Sequence, residues 1–111
     1  MLGDNDLAIP EKMLDLCALR HKLIAHNVAN AGIPGFHRLD VAFQEELRRA
    51  ISENDANAVR KAELPVHTAR KPGVDPETEV ARMAKNELLF GTFAQIAAQK
   101  LRIMRTAVTS K

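Results

Sequence analysis

The sequence contains no tryptophan and no tyrosine, and its aromatic residues are four phenylalanines. Much of its apolar content is alanine, which fills little volume. In 111 residues, enough for one domain, this composition disfavours an ordinary compact core. It favours long helices whose core forms by helix-on-helix packing, between chains as well as within one. A single cysteine, Cys17, excludes an internal disulfide. It lies in the apolar run Leu14-Asp15-Leu16-Cys17-Ala18-Leu19 and reads as a buried structural thiol rather than a nucleophile.

Net charge is also scarce. Sixteen basic residues face 14 acidic ones, leaving +2, too balanced for binding nucleic acid by phosphate neutralisation. The charge is nevertheless uneven. From Lys100 to Lys111 there are four basic residues and no acid, whereas residues 40–63 carry six acids and four bases. A basic last turn suits a helix dipole. No run approaches the ~18 uncharged apolar residues that a membrane span needs. The start, Met-Leu-Gly-Asp-Asn-Asp, has neither basic residues nor an apolar signal core, so a conventional cleaved leader is not expected.

Catalytic and metal patterns are missing too. No dinucleotide-binding, P-loop, HExxH or GxSxG motif occurs. Glu45 and Glu46 are adjacent and point apart on a helix, unlike a paired-carboxylate site. His21 and His26 are five apart and diverge, whereas two ligands on one helix face want a spacing of three or four. His37 and His67 stand alone. The sequence therefore leads one to expect no catalytic residue, no metal and no cofactor.

Helical periodicity is abundant. The first segment, 6–31, has Asp6 as a plausible N-cap, with Pro10 and Glu11 in the first turn. Ile9, Met13, Leu16, Leu19 and Leu23 form one apolar row, and Leu14, Cys17, Ile24 and Val28 an adjacent one. The helix should stop near Asn30-Ala31-Gly32, with Gly32 as a left-handed cap, before Pro34-Gly35 turns the chain. Asn27 and Asn30 share one side of the last turn, where their side chains can tie terminal carbonyls to the turn that follows. Residues 40–52 again read as a helix, with Arg48 and Arg49 at ion-pair offsets from Glu45 and Glu46. Residues 53–75 are rich in serine, asparagine, proline and charge. Within them, residues 63–75 read as loop, extended or disordered chain, with Leu64–Thr68 able to form a short strand.

The last segment, 76–109, is the clearest helix. Asp75 is a good N-cap, Pro76 occupies the first helical position, and Glu77 and Glu79 lie in the first turn. Val80, Met83, Glu87, Phe90, Ala94, Ala97, Leu101, Met104 and Val108 alternate by three and four, and only Glu87 is not apolar, the pattern of a coiled-coil seam. The expected fold is mainly α. Two long terminal amphipathic helices pair in a coiled-coil-like hairpin, with a short helix and an irregular middle segment (32–75) between them, all in one domain.

The stretch Asn27-Val28-Ala29-Asn30-Ala31-Gly32-Ile33-Pro34-Gly35-Phe36 resembles the N-terminal signature of the flagellar axial proteins (rod, hook and hook-associated), roughly N-I-A-N-x-x-T-P-G-Y/F. Asn27, Ala29, Asn30, Pro34, Gly35 and Phe36 match, and Ile33 stands at the threonine position. Arg20-His21-Lys22-Leu23-Ile24-Ala25-His26 is similar to the helix leading into that signature. Asp40-Val41-Ala42-Phe43-Gln44-Glu45-Glu46-Leu47 resembles the D-[FV]-x-x-F-x-x-x-L stretch of the family's proximal rod members. Val74-Asp75, followed by Glu79 to Phe90, resembles their V-D-x-x-x-E-M-x-x-M-A-x-N-x-L-x-Y/F.

The resemblance implies a non-enzymatic structural subunit of the proximal rod at the flagellar basal body. It implies type III export to the periplasmic side without a cleaved signal, and no cofactor. Implied partners are other copies of the chain, other rod proteins, and MS-ring and export-gate components. Neither nucleic acid, a small-molecule substrate nor a membrane span is implied. Assembly would use the motif residues Asn27, Asn30, Pro34, Gly35 and Phe36. The helix-packing positions would be Leu16, Leu23, Val80, Met83, Phe90, Ala94, Ala97, Leu101, Met104 and Val108. Two alternatives stand beside it: another small rod subunit, and a small helical nucleic-acid-binding module, since a helix-turn-helix also joins two helices by a glycine turn.

Overall fold

The computed structural model describes residues 6–109. Met1–Asn5, on which the leader reading rests, and Lys111 of the basic tail lie outside them. Helix α1 spans Ala8–Ala29 and helix α4 spans Pro76–Thr109. Between them come strand β1 (Leu39–Val41), helices α2 (Phe43–Glu53) and α3 (Ala56–Lys61), and strand β2 (Val66–Thr68). The molecule is a rod of 63 × 24 × 15 Å.

The helices α1 and α4 pack against each other as an antiparallel hairpin. Asn27, at the end of α1, meets Glu79 at the start of α4, while Cys17, nearly three turns earlier in α1, meets Asn86, about two turns further along α4. Met13, Leu16, Cys17, Val41 and Phe43 form the main core, with Leu19, Leu23, Leu47, Leu89 and Phe93 packed around it. A smaller cluster of Ala8, Ala50 and Val59 seats α2 and α3 against the start of α1. At ~1.5 Å per residue, α4 has 34 residues against 22 for α1, an excess of roughly 18 Å. This excess projects as an overhang, and every residue from Leu101 to Thr109 is exposed.

Both helix starts follow from local chemistry. The N-cap of α1 is Leu7 rather than Asp6, with no side-chain cap bond, and Asp6 assists from one residue earlier, its Oδ1 accepting from the Ala8 N–H at 2.6 Å. Asp75 caps α4 as expected: its carboxylate accepts from the Glu77 N–H at 3.2 Å and the Thr78 hydroxyl at 2.7 Å.

The end of α1 departs from expectation. Gly32 does not take the left-handed conformation. The helix unwinds through Asn30, at φ −105° and ψ 9°, and the chain turns over Pro34-Gly35. The Phe36 N–H donates to the Ile33 carbonyl at 3.2 Å, and Gly35 has φ +77°. A proline followed by a positive-φ glycine is the composition of a type II turn, so the left-handed residue is needed one turn beyond the helix.

The middle of the chain is more ordered than its composition suggests. Asp40 and Val41 are in β1 rather than in a helix, and α2 begins only at Phe43. Strand β1 pairs antiparallel with β2, with Leu39 opposite Thr68, Asp40 opposite His67 and Val41 opposite Val66. The strand at Leu64–Thr68 is thus present in its last three residues. The polar stretch after α2, for which the sequence suggests no regular element, holds α3 at Ala56–Lys61. Asn54 closes α2 at φ +50°, and Asp55 accepts from the Asn57 and Ala58 N–H groups to start α3. Lys12 of α1 donates to the Arg60 and Ala62 carbonyls, placing its ammonium at the negative end of α3. Tertiary contacts of this kind override the weak helix and strand preference of polar residues.

Cys17 is 1% exposed, and burial pushes its thiol above the usual range despite the Arg20 charge. The native protein is therefore expected to resist a disulfide reagent at pH 8 and to react stoichiometrically once unfolded in denaturant. Fast native labelling would contradict this packing.

Candidate assembly surface

Asn27 is fully buried. Its Oδ1 accepts from the Leu39 N–H at 2.8 Å and its Nδ2 donates to the Leu39 carbonyl at 2.9 Å. The carboxamide thus pairs with β1 as a neighbouring strand would, and ties it to α1. The side chain was expected to reach helix carbonyls or the following turn, but it reaches past the turn to the strand. Asn30 does take the local role: its Nδ2 donates to the His26 carbonyl at 2.8 Å. Phe36 packs edge-on against the His26 ring at 5.6 Å, so the anchor beyond Pro34-Gly35 folds back onto α1. The signature residues Asn27, Asn30, Pro34, Gly35 and Phe36 are therefore one structural unit, a helix end, turn and strand joint.

A buried charge cluster lies beside that joint. Glu79, with no exposed surface, accepts from Arg38 Nε and Arg82 Nη1, both at 2.7 Å, and approaches Asn27 Nδ2 at 3.4 Å. Arg38 also pairs with Asp40 at 3.3 Å, and Arg20 with Asp40 at 3.2 Å. The Arg20 guanidinium lies over the Phe43 ring at 5.1 Å. Removing one partner from such a network leaves an uncompensated charge, so the cluster fixes the hairpin's register.

Burial pushes the Asp40 carboxyl upward, but the Val41 N–H and the Arg20 and Arg38 charges outweigh it. The group is held below the ordinary carboxylate range. A carboxyl whose pKa is depressed by folding contributes stability that is present above its unfolded value and lost as pH falls through the folded one. Stability should therefore decline below about pH 4. Asp40→Asn should flatten that acid limb in denaturant titrations, and an unchanged limb would contradict the assignment.

The α4 seam is placed differently from the apolar row in the sequence. The residues facing α1 are Glu79, Asn86 and Phe93, with Leu89 between them. These lie one position before Val80, Glu87 and Ala94, a rotation of about 100° on a helix. Asn86, 3% exposed, donates its Nδ2 to the Cys17 carbonyl at 2.8 Å, while its Oδ1 is buried without a partner. The apolar row consequently turns outward. Val80 is 64% exposed, Phe90 46%, Leu101 48%, Met104 38% and Val108 82%. Met83, Ala94 and Ala97 are half-buried at its margin. On α1, Leu16 is in the core and Leu23 packs against it.

Two apolar grooves run along this face. One, of about 400 Å³, is lined by Cys17, Ala18, His21, Lys22, Glu87 and Phe90, with Asn86 at its floor. The other, of about 260 Å³, lies between Ile24 and Val28 of α1 and Val80 and Met83 of α4. Together with the overhang they make an apolar strip along one side of the rod. Large exposed apolar patches are general features of protein contact surfaces.

Glu79, Asn86, Arg38 and Arg20 are not among the packing or motif positions expected from the sequence, although Glu79 is expected in the first turn of the last helix. The signal was there, since Glu79, Asn86 and Phe93 repeat every seven residues, but two of the three are polar and an apolar template passes over them. Among the described residues no group of three or more His, Cys, Asp or Glu can hold a metal ion. No described helix is long and apolar enough to cross a membrane.

No family profile matches the chain. Several curated proteins do. The flagellar basal body rod protein FlgB of Borrelia hermsii is 28% identical in an alignment covering 93% of this chain and 93% of the relative. FlgB of Buchnera aphidicola is 31% identical over 55% of this chain, and the matched part is 46% of that protein. FlgB of Yersinia enterocolitica is 27% identical over 65% of this chain and 58% of its own length. The chain thus spans about half the length of two of these relatives and nearly the whole of the third. Five curated proteins named as FlgB, at 23–32% identity, are similar to it.

Proposed function

We propose that the protein is a structural subunit of the proximal rod of a bacterial flagellar basal body. The observation that carries the reading is the end-to-end similarity to the B. hermsii rod protein. The Asn27–Phe36 joint and the outward apolar strip of α4 support it. In this reading the chain leaves the cytoplasm through the flagellar type III apparatus and packs with its own copies and other rod proteins. The assembly stands at the MS ring and export gate as a torque-transmitting tube around a channel. The chemistry is interface packing, with no catalytic step and no cofactor. The exposed row Val80, Phe90, Leu101, Met104 and Val108 supplies the apolar contact area. The buried polar positions Asn27, Glu79 and Asn86 keep the hairpin in one register, so that the row faces outward.

Deleting the gene should give non-motile cells whose basal bodies lack rod and hook in electron micrographs, with motility restored by the gene in trans. Normal swimming and complete rods in the deletion strain would overturn the proposal.

A further inference from the structure

Beside the Asn27 joint, on the side of the hairpin where α1, β1 and α4 meet, lies a cleft of about 170 Å³ lined by Arg20, Ile24, Arg38, Asp40, Arg82 and Lys85. Four cationic side chains converge on a space large enough for a few waters or one compact anion. The two carboxylates of the cluster are already engaged. Glu79 accepts from Arg38, Arg82 and Asn27. Asp40 accepts from Arg20, Arg38 and the Val41 N–H. Counting both, the cleft keeps an excess of two positive charges.

Donor capacity is in surplus as well. A guanidinium carries five N–H groups in a fixed fork. Arg20 and Arg38 each engage two of their nitrogens and Arg82 one. The ammonium of Lys85 makes no ion pair among the described residues. The side chains of Arg20 and Arg38 are only 19% and 16% exposed, held in place by the carboxylates and by the Phe43 ring, so the unused edges are pre-positioned rather than free to disperse. Planar, pre-organised guanidinium edges beside a lysine suit the bidentate geometry of an oxyanion.

We infer that this cleft is an oxyanion-binding site, taking one phosphate or carboxylate group between the Arg20, Arg38 and Arg82 guanidinium groups and the Lys85 ammonium. The inference concerns a single folded chain and does not rest on the rod reading. The oxyanion has two chemical sources, a free inorganic anion and a carboxylate side chain of a neighbouring protein, and the site recognises what the two share.

The test is a titration of the full chain, labelled with ¹⁵N, by sodium phosphate and separately by a tetraglutamate peptide. Sodium chloride keeps the ionic strength constant, and the arginine Nε–Hε resonances are followed. A saturable shift of these resonances is expected with at least one probe. Phosphate alone points to a free anion, and tighter binding of the peptide to a protein carboxylate. Lys85 is exposed and outside the folding core, so its variants should fold. Lys85→Ala should weaken binding about fivefold, below the full value of a charged hydrogen bond because the site is open to solvent. Lys85→Glu, which puts an acid in the cleft, should abolish it. No saturable shift with either probe, or undiminished binding by Lys85→Glu, would overturn the inference.

Discussion

Cells carrying Leu101→Asp together with Met104→Asp should be non-motile and lack assembled rods, while the purified variant keeps the circular dichroism and melting temperature of the parent. The two effects separate because of where these residues lie. In the single chain Leu101 is 48% and Met104 38% exposed, on an overhang beyond the reach of α1. Substitutions at such positions usually change stability by no more than about 0.5 kcal/mol. In an apolar contact, each aspartate would have to be buried unpaired or leave the contact unformed. Removing an unpaired carboxylate from water costs several kcal/mol even after relaxation, enough to dissolve an interface. Parental motility would show that the α4 strip is not used. A collapse of the isolated chain would show instead that the overhang belongs to the monomer's own core.

The second large effect is on folding. Asn27→Ala should destabilise the protein by about 3 kcal/mol, since it strands the Leu39 N–H and carbonyl and takes a contact from Glu79. For a chain of this size that is a fall in melting temperature of roughly 15 °C. Asn27→Asp should cost at least as much, because it sets a second carboxylate beside Glu79, which lies 3.4 Å from the amide it replaces. Asn30→Ala is the contrast. Its bond to the His26 carbonyl is exposed, and its loss should cost about 1 kcal/mol or less. Equal effects at the two asparagines would contradict the assignment of the strand-pairing role to Asn27 alone.

These residues also show what the sequence makes legible. The long helices could be placed within about two residues at each end, because periodicity and caps such as Asp75 are local signals. The pairing of α1 with α4 followed from their apolar stripes. The face of α4 that does the pairing did not. An apolar template selects Val80, Phe90 and Ala94, whereas the buried seam runs through Glu79, Asn86 and Phe93. Burial of Glu79 depends on Arg38, 41 residues earlier in the chain, and burial of Asn86 depends on the Cys17 carbonyl, 69 residues earlier. No local pattern encodes such partners. The β1–β2 pairing and α3 were hidden for the same reason. Three-residue strands and a six-residue helix persist here through Asn27, Lys12 and the Asp55 cap, and their own propensity is slight. The Asn27–Phe36 stretch was conspicuous as a helix stop and turn, but its reach to β1 became visible only in three dimensions.

The account's central claim is that this chain is part of the rod. Basal bodies purified from motile cells of the source bacterium, stripped of membrane and analysed by quantitative mass spectrometry, test that most directly. The account predicts that the chain is present in fixed proportion to the other rod proteins and stays with the rod when the ring components are dissociated. Its absence from intact basal bodies would contradict the claim.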